Sequence, residues 1–214
     1  MKTRSKALLL TLCAVLLVAA SVLGTMAYLT DKETVTNTFT VGKVKIELDE
    51  AKVDENGTPV EGAARVKANE YKLMPGHTYT KDPTVTVKAG SEKSYIKMTV
   101  TFSKAKELDA IFAKEGGAKL TSIFTGYDSA NWIAKGNTEG TDNTRTYEFW
   151  YKEAVDASKE EVKLDALFDS ITVPVTITKE QLAKIEDMTI TVNAYAIQAD
   201  GFANADAAWE AFAG

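Results

Sequence analysis

The sequence contains one cysteine, one histidine and four prolines in 214 residues. Cys13 lies inside an apolar N-terminal run, so no second thiol is present to close a disulfide, and burial and sheet hydrogen bonding must hold the fold together. His77 stands alone in Met74-Pro75-Gly76-His77-Thr78. A single imidazole leaves no two-histidine helix motif and no second imidazole ligand for a zinc centre. A serine nucleophile would have to use His77 as its base, and no G-x-S-x-G element is present. Phosphate loops of the G-x-x-x-x-G-K-S/T type are also missing, since Gly116-Gly117 ends a helical pattern instead of opening one. The formal charge is −5, so the basic face that nucleic-acid binding requires is lacking and no nucleic-acid partner is expected. The thirty acidic residues are numerous enough for a glycosidase-like couple but so scattered that any chosen pair is arbitrary.

A long apolar stretch occurs only once, at the N-terminus. Lys2, Arg4 and Lys6 precede the run from Ala7 to Ala20, the arrangement of a basic n-region and an apolar h-region in an export signal. Apolar character reaches Leu23, near the lower limit of a spanning helix, so an uncleaved anchor is the alternative. Thr25 and Ala27 stand two apart, as the small subsites of a signal peptidase require, and they predict a cut between Ala27 and Tyr28. Residues 1–27 are then the signal, and their loss takes the formal charge to −8. The expected location is outside the cell.

What remains is dominated by alternation of period two. Val44, Ile46 and Leu48 alternate with charged residues, as do Ile96, Met98, Val100 and Phe102. Thr84 to Val87 forms a shorter copy, joined to the next strand by Ala89-Gly90-Ser91-Glu92-Lys93, which predicts an antiparallel pair. Ile171, Val173, Val175 and Ile177 make another strand, with Pro174 placing it at an edge or a bulge. Met188 to Ala194 is a further strand. Thr144 to Tyr151 carries aromatics on both faces after a polar loop over Gly136–Asn143. Helices are expected from Lys104 to Lys114 capped by Ser103, from the capping box Thr178-Lys179-Glu180-Gln181, and from Asn204 to Phe212. Trp209 and Phe212 would pack the last helix on the domain. Asn56-Gly57 reads as a tight turn, not as part of a calcium loop. The fold class is therefore mainly β, a two-sheet jelly-roll-like antiparallel sandwich with short connecting helices, over residues 43–214.

Residues 28–42 are different. Tyr28, Leu29, Val35, Phe39 and Val41 lie in a Thr- and Val-rich segment with strand propensity but too sparse an apolar set to fix its register by burial. One reading is an ordinary first strand behind a frayed terminus. The other is an assembly strand that adds to a sheet edge of another copy, a head-to-tail contact that need not close.

The run Gly24-Thr25-Met26-Ala27-Tyr28-Leu29-Thr30-Asp31, continuing to Asn37-Thr38-Phe39-Thr40-Val41-Gly42-Lys43-Val44, resembles the TasA/camelysin family of secreted biofilm-matrix proteins. Met74-Pro75-Gly76, Tyr79 to Val87 and Ala194 to Phe202 extend the resemblance over most of the chain, while about Glu107 to Asp169 matches no family pattern. The resemblance implies a signal processed by a SipW-type peptidase, a jelly-roll subunit, and extracellular fibres in which the N-terminal strand completes a neighbour's sheet. Partners would be the chain itself, as a homopolymer, and other matrix components. No cofactor and no metal are expected. Camelysin-type members have been described as cell-surface metalloproteases, an enzyme reading that the single histidine does not support. A monomeric secreted adhesin of the same fold is the other alternative.

Overall fold

A computed structural model describes residues 30–33, 44–113, 116–117 and 119–212. Its largest sheet has five antiparallel strands, in the spatial order β1 (Thr30–Glu33), β11 (Ile190–Gln198), β5 (Ser94–Phe102), β8 (Arg145–Tyr151) and β7 (Trp132–Glu139). Two three-stranded antiparallel sheets share its core. One is β3 (Thr78–Thr80), β10 (Ser170–Thr172) and β6 (Phe124–Thr125); the other is β2 (Ile46–Asp49), β4 (Thr84–Val87) and β9 (Val162–Lys163). The protein is thus mainly β and antiparallel, an arrangement compatible with a sandwich whose second layer is divided in two.

Alternation explains which face is buried. In β5, Ile96, Met98, Val100 and Phe102 are inside and Lys97, Thr99 and Thr101 are outside. β11 presents Val192, Ala194 and Ala196 to the same core, and β8 presents Tyr147 and Phe149. β2 and β4 close the core from the opposite side with Ile46, Leu48, Val85 and Val87. Each fully buried aliphatic or aromatic side chain contributes roughly 1.5–3 kcal/mol, so this one cluster supplies the main favourable term in a fold with no disulfide.

Both faces of the main sheet are used. Beyond the core, Tyr95, Trp150, Tyr195 and Ile197 point outward and are covered by the C-terminal helix, here α4 (Ala205–Phe212), through Trp209 and Phe212. Asn204 caps this helix, its Oδ1 accepting the Ala207 N–H at 2.9 Å. Lys97 Nζ sits 4.6 Å from the Trp209 ring centroid, its charge facing the ring's negative π surface.

The other helices among the described residues are α1 (Ala105–Ile111), α2 (Leu120–Ile123) and α3 (Lys179–Lys184). The capping box at Thr178 and Gln181 is formed as the sequence predicts. Four expectations need correction. Ser103 does not cap α1: its Oγ accepts the Thr189 N–H, Lys104 takes the N-cap position with φ 58°, and Asn143 Oδ1 accepts the Lys106 N–H instead. β4 and β5 do not pair, because all four β4 residues are buried and the 88–93 connection carries the chain from one sheet to another. Pro174 ends β10 outright, leaving Val175 79% exposed. Gly136–Glu139 belong to β7, and the turn is confined to Gly140–Thr144, where the Gly140 N–H donates to Thr144 O.

β7 is the far edge of the main sheet. It carries a register shift between Ala134 and Gly136, exposed side chains from Ile133 onward, and Lys135 stacked on Trp150 at 3.8 Å.

Candidate functional site

The near edge of the main sheet is formed by β1. Its register on β11 runs Thr30 to Ile197, Asp31 to Ala196, Lys32 to Tyr195 and Glu33 to Ala194. Of the segment expected to assemble, only these four residues are placed. Ala27, Tyr28, Leu29, Val35, Phe39 and Val41 lie outside the described residues, as does the whole signal segment. β11 is longer than β1. Residues Ile190–Asn193 pair with β5 on one side, and among the described residues no strand pairs with them on the other.

That unpaired stretch opens into a groove of about 880 Å³. One wall is the 186–192 segment; the other is Leu48–Glu50 at the end of β2, together with part of the 67–73 segment. Five carboxylates and two lysines line it, so the groove is acidic on balance. The strand edge supplies main-chain donors and acceptors, and Leu48, Leu73, Ile171 and Met188 supply apolar surface, the combination that recognises an extended peptide.

A polar cluster forms part of this lining. Glu50 follows β2 in the inward phase set by Val44, Ile46 and Leu48, so a carboxylate falls where an apolar residue is expected. The excursion after β2 returns through a doubly hydrogen-bonded bridge between Glu50 and Val66, which brings Arg65 and Asn69 alongside. Lys81 Nζ meets Glu50 Oε2 at 2.5 Å, with the two side chains only 8% and 7% exposed. Removing such charges from water is costly unless the remaining polar atoms are also paired. They are: Asn69 Nδ2 donates to Glu50 Oε1 at 2.9 Å and to Ala51 O at 2.8 Å.

Arg65 holds the residues next to this pair. Its Nε donates to Asp49 at 2.5 Å and its Nη1 to Asp82 at 2.7 Å, while Nη2 reaches Asp82 O and Thr84 Oγ1. Burial works against the guanidinium charge, but the Asp82 and Asp49 hydrogen bonds outweigh it and raise its pKa above the ordinary value. Burial, reinforced by the Glu50 carboxylate, pushes the Tyr71 hydroxyl well above its usual range, and the Tyr71 ring lies 5.9 Å from Lys81 Nζ. The sequence reading did not single out Glu50, Asn69, Arg65 or Lys81. The available signal was the phase: a charged residue on the buried beat of an alternating strand needs a partner.

The remaining sequence candidates have structural surroundings. His77 is exposed in its Pro-Gly turn, with its ring 6.0 Å from that of Tyr79. Asp54 Oδ1 accepts the N–H groups of Asn56 and Thr58, so the side chain is engaged in the turn. Among the described residues no three His, Cys, Asp or Glu side chains converge as a metal-ligand group, and no helix is long and apolar enough to cross a membrane. Comparison with family models, curated proteins and solved structures finds no match for this chain.

Proposed function

We propose that this chain is a secreted structural subunit that polymerises head to tail, the N-terminal strand of one copy adding to the β11 edge of the next. The observation that carries this reading is the β1–β11 relationship. Among the described residues β1 has one strand partner, β11, and β11 extends beyond its pairing with β1 to Ile190, beside the groove. Contacts that a terminal strand makes within its own chain are the same contacts it makes with a second copy, so exchanging the strand between copies costs little. A tethered strand has an effective concentration in roughly the millimolar range, so the closed monomer competes and assembly should depend on concentration.

The N-terminal sequence fits the same role. A cut between Ala27 and Tyr28 would free the strand only after export, which makes processing by a SipW-type peptidase the step that licenses assembly. The resemblance to secreted biofilm-matrix proteins points the same way, with other matrix components as further partners. This role requires no catalytic residue and no cofactor.

Removing Tyr28 to Val41 tests the reading. The truncated protein is expected to keep its β circular dichroism signal and to form no filaments under electron microscopy at concentrations where the mature chain does. Filaments of normal appearance from the truncated protein would rule the reading out.

A further inference from the structure

In the wall of the groove, one carboxylate holds an amine and a carboxamide at the same time. Glu50 takes Lys81 Nζ on Oε2 at 2.5 Å and Asn69 Nδ2 on Oε1 at 2.9 Å. Charge balance needs only the lysine; the amide on the second oxygen is an added feature. Asn69 Oδ1 accepts the Val53 backbone N–H at 3.0 Å, a donor placed where negative charge would gather if Asn69 Cγ were attacked. The flanking residues are fixed, since Asp49 and Asp82 both bind Arg65 and Ala51 N–H donates to Asp82 Oδ1. Lys81 and Glu50 are almost fully enclosed, with the Tyr71 ring nearby, so water competes little for the amine.

We propose that Lys81 and Asn69 join through a side-chain amide bond, with Glu50 as the proton relay. Lys81 Nζ passes a proton across the 2.5 Å contact to Glu50 Oε2, and the freed lone pair attacks Asn69 Cγ. The carbonyl opens to an oxyanion facing the Val53 N–H. Glu50 delivers its proton to Nδ2, takes the second surplus proton from Nζ, and the Cγ–Nδ2 bond breaks. Of the three protons on the lysine ammonium, one stays on the new amide and two leave with the original amide nitrogen as ammonium. Glu50 ends as a carboxylate, nothing is oxidised or reduced, and no co-reactant is consumed. The product is a permanent staple between the 51–77 excursion and the chain entering β4, in a protein without a disulfide.

Intact-mass measurement and tryptic mapping of the purified protein test this. The expected mass is lower by one ammonia than that calculated for the purified chain from its own N-terminus, and Ala68–Lys72 is expected to elute joined to Leu73–Lys88, uncut at Lys81. Lys81→Arg keeps a cation beside Glu50 but cannot form this amide, so it should show the full mass and release Ala68–Lys72 as a free peptide. Folded Glu50→Gln should also keep the full mass; linkage at the wild-type level in that variant overturns the relay. A wild-type protein at full mass overturns the proposal. So does a lost ammonia that maps elsewhere, such as Asn56-Gly57, with Ala68–Lys72 recovered free.

Discussion

Gly57 packs directly on Tyr79: a β-carbon on Gly57 would stand 2.6 Å from Tyr79 Cα and 2.5 Å from its Cδ1. The Tyr79 hydroxyl donates to Lys72 O at 2.6 Å and accepts the Met74 N–H at 2.7 Å, so one ring joins the 54–58 turn to the segment leading into β3.

Gly57→Ala should therefore be far worse than an ordinary glycine replacement. It combines a left-handed φ of 78° with a clash against backbone that cannot rotate away, a cost of roughly 3 kcal/mol or more. Gly90→Ala has a similar φ of 80° but open space around it, and should cost roughly 1 kcal/mol. Urea unfolding midpoints of the two variants measure the difference; equal shifts would show that the Tyr79 contact carries no weight.

Trp209 is 3% exposed, and among the described residues its indole N–H has no hydrogen-bond partner. Trp209→Ala should cost roughly 3–5 kcal/mol by opening a cavity under α4. Trp209→Phe keeps an aromatic face over Lys97 and discards an unsatisfied donor, so its cost should be only about 1 kcal/mol. Chemical denaturation of both variants checks the order.

Lys88 binds Glu47 at 2.6 Å and Glu161 at 3.0 Å. The Lys88 hydrogen bond outweighs burial and holds the Glu47 carboxyl below its ordinary pKa. A lowered folded-state pKa means stability that is present above the unfolded value and lost as pH falls through the folded one. Because Glu47 is 41% exposed, solvent screening limits the contribution to roughly a few tenths of a kcal/mol. Wild type should exceed Glu47→Gln by that margin near neutral pH and lose the advantage as pH falls through the lowered folded-state pKa of Glu47, as read from denaturation midpoints across an acid titration.

A synthetic peptide covering Tyr28 to Val41 should compete for the β11 edge. Added in excess to the mature protein, it is expected to slow filament growth in a dose-dependent way, while a scrambled peptide of the same composition does not. Light scattering against time follows the effect.

Period-two alternation identified β2, β5 and β11 because the inward beats of each meet a single core, and that is the condition under which alternation appears in sequence. It could not assign partners. β4 reads as the hairpin mate of β5, yet it lies in another sheet, since the 88–93 turn looks the same whether the chain folds back or crosses over. β7 was hidden because its side chains from Ile133 onward face solvent, and an edge strand with little to bury leaves no apolar rhythm. The cluster around Glu50 was hidden for a different reason. Arg65 and Asn69 come from an excursion with no period of its own, and only the Glu50–Val66 bridge brings them to Lys81.

The two edges of the main sheet are chemically unlike. β7 is kinked by its register shift and guarded by Lys135, a combination that discourages further strands from adding there. The β11 side keeps an unbroken register with β1. If strands add as proposed, growth would use the β11 side alone, which would favour a single-file thread over a two-dimensional raft and give the thread two different ends: one with an unfilled edge, the other with an unspent strand. Capping either end would stop growth there without touching the other.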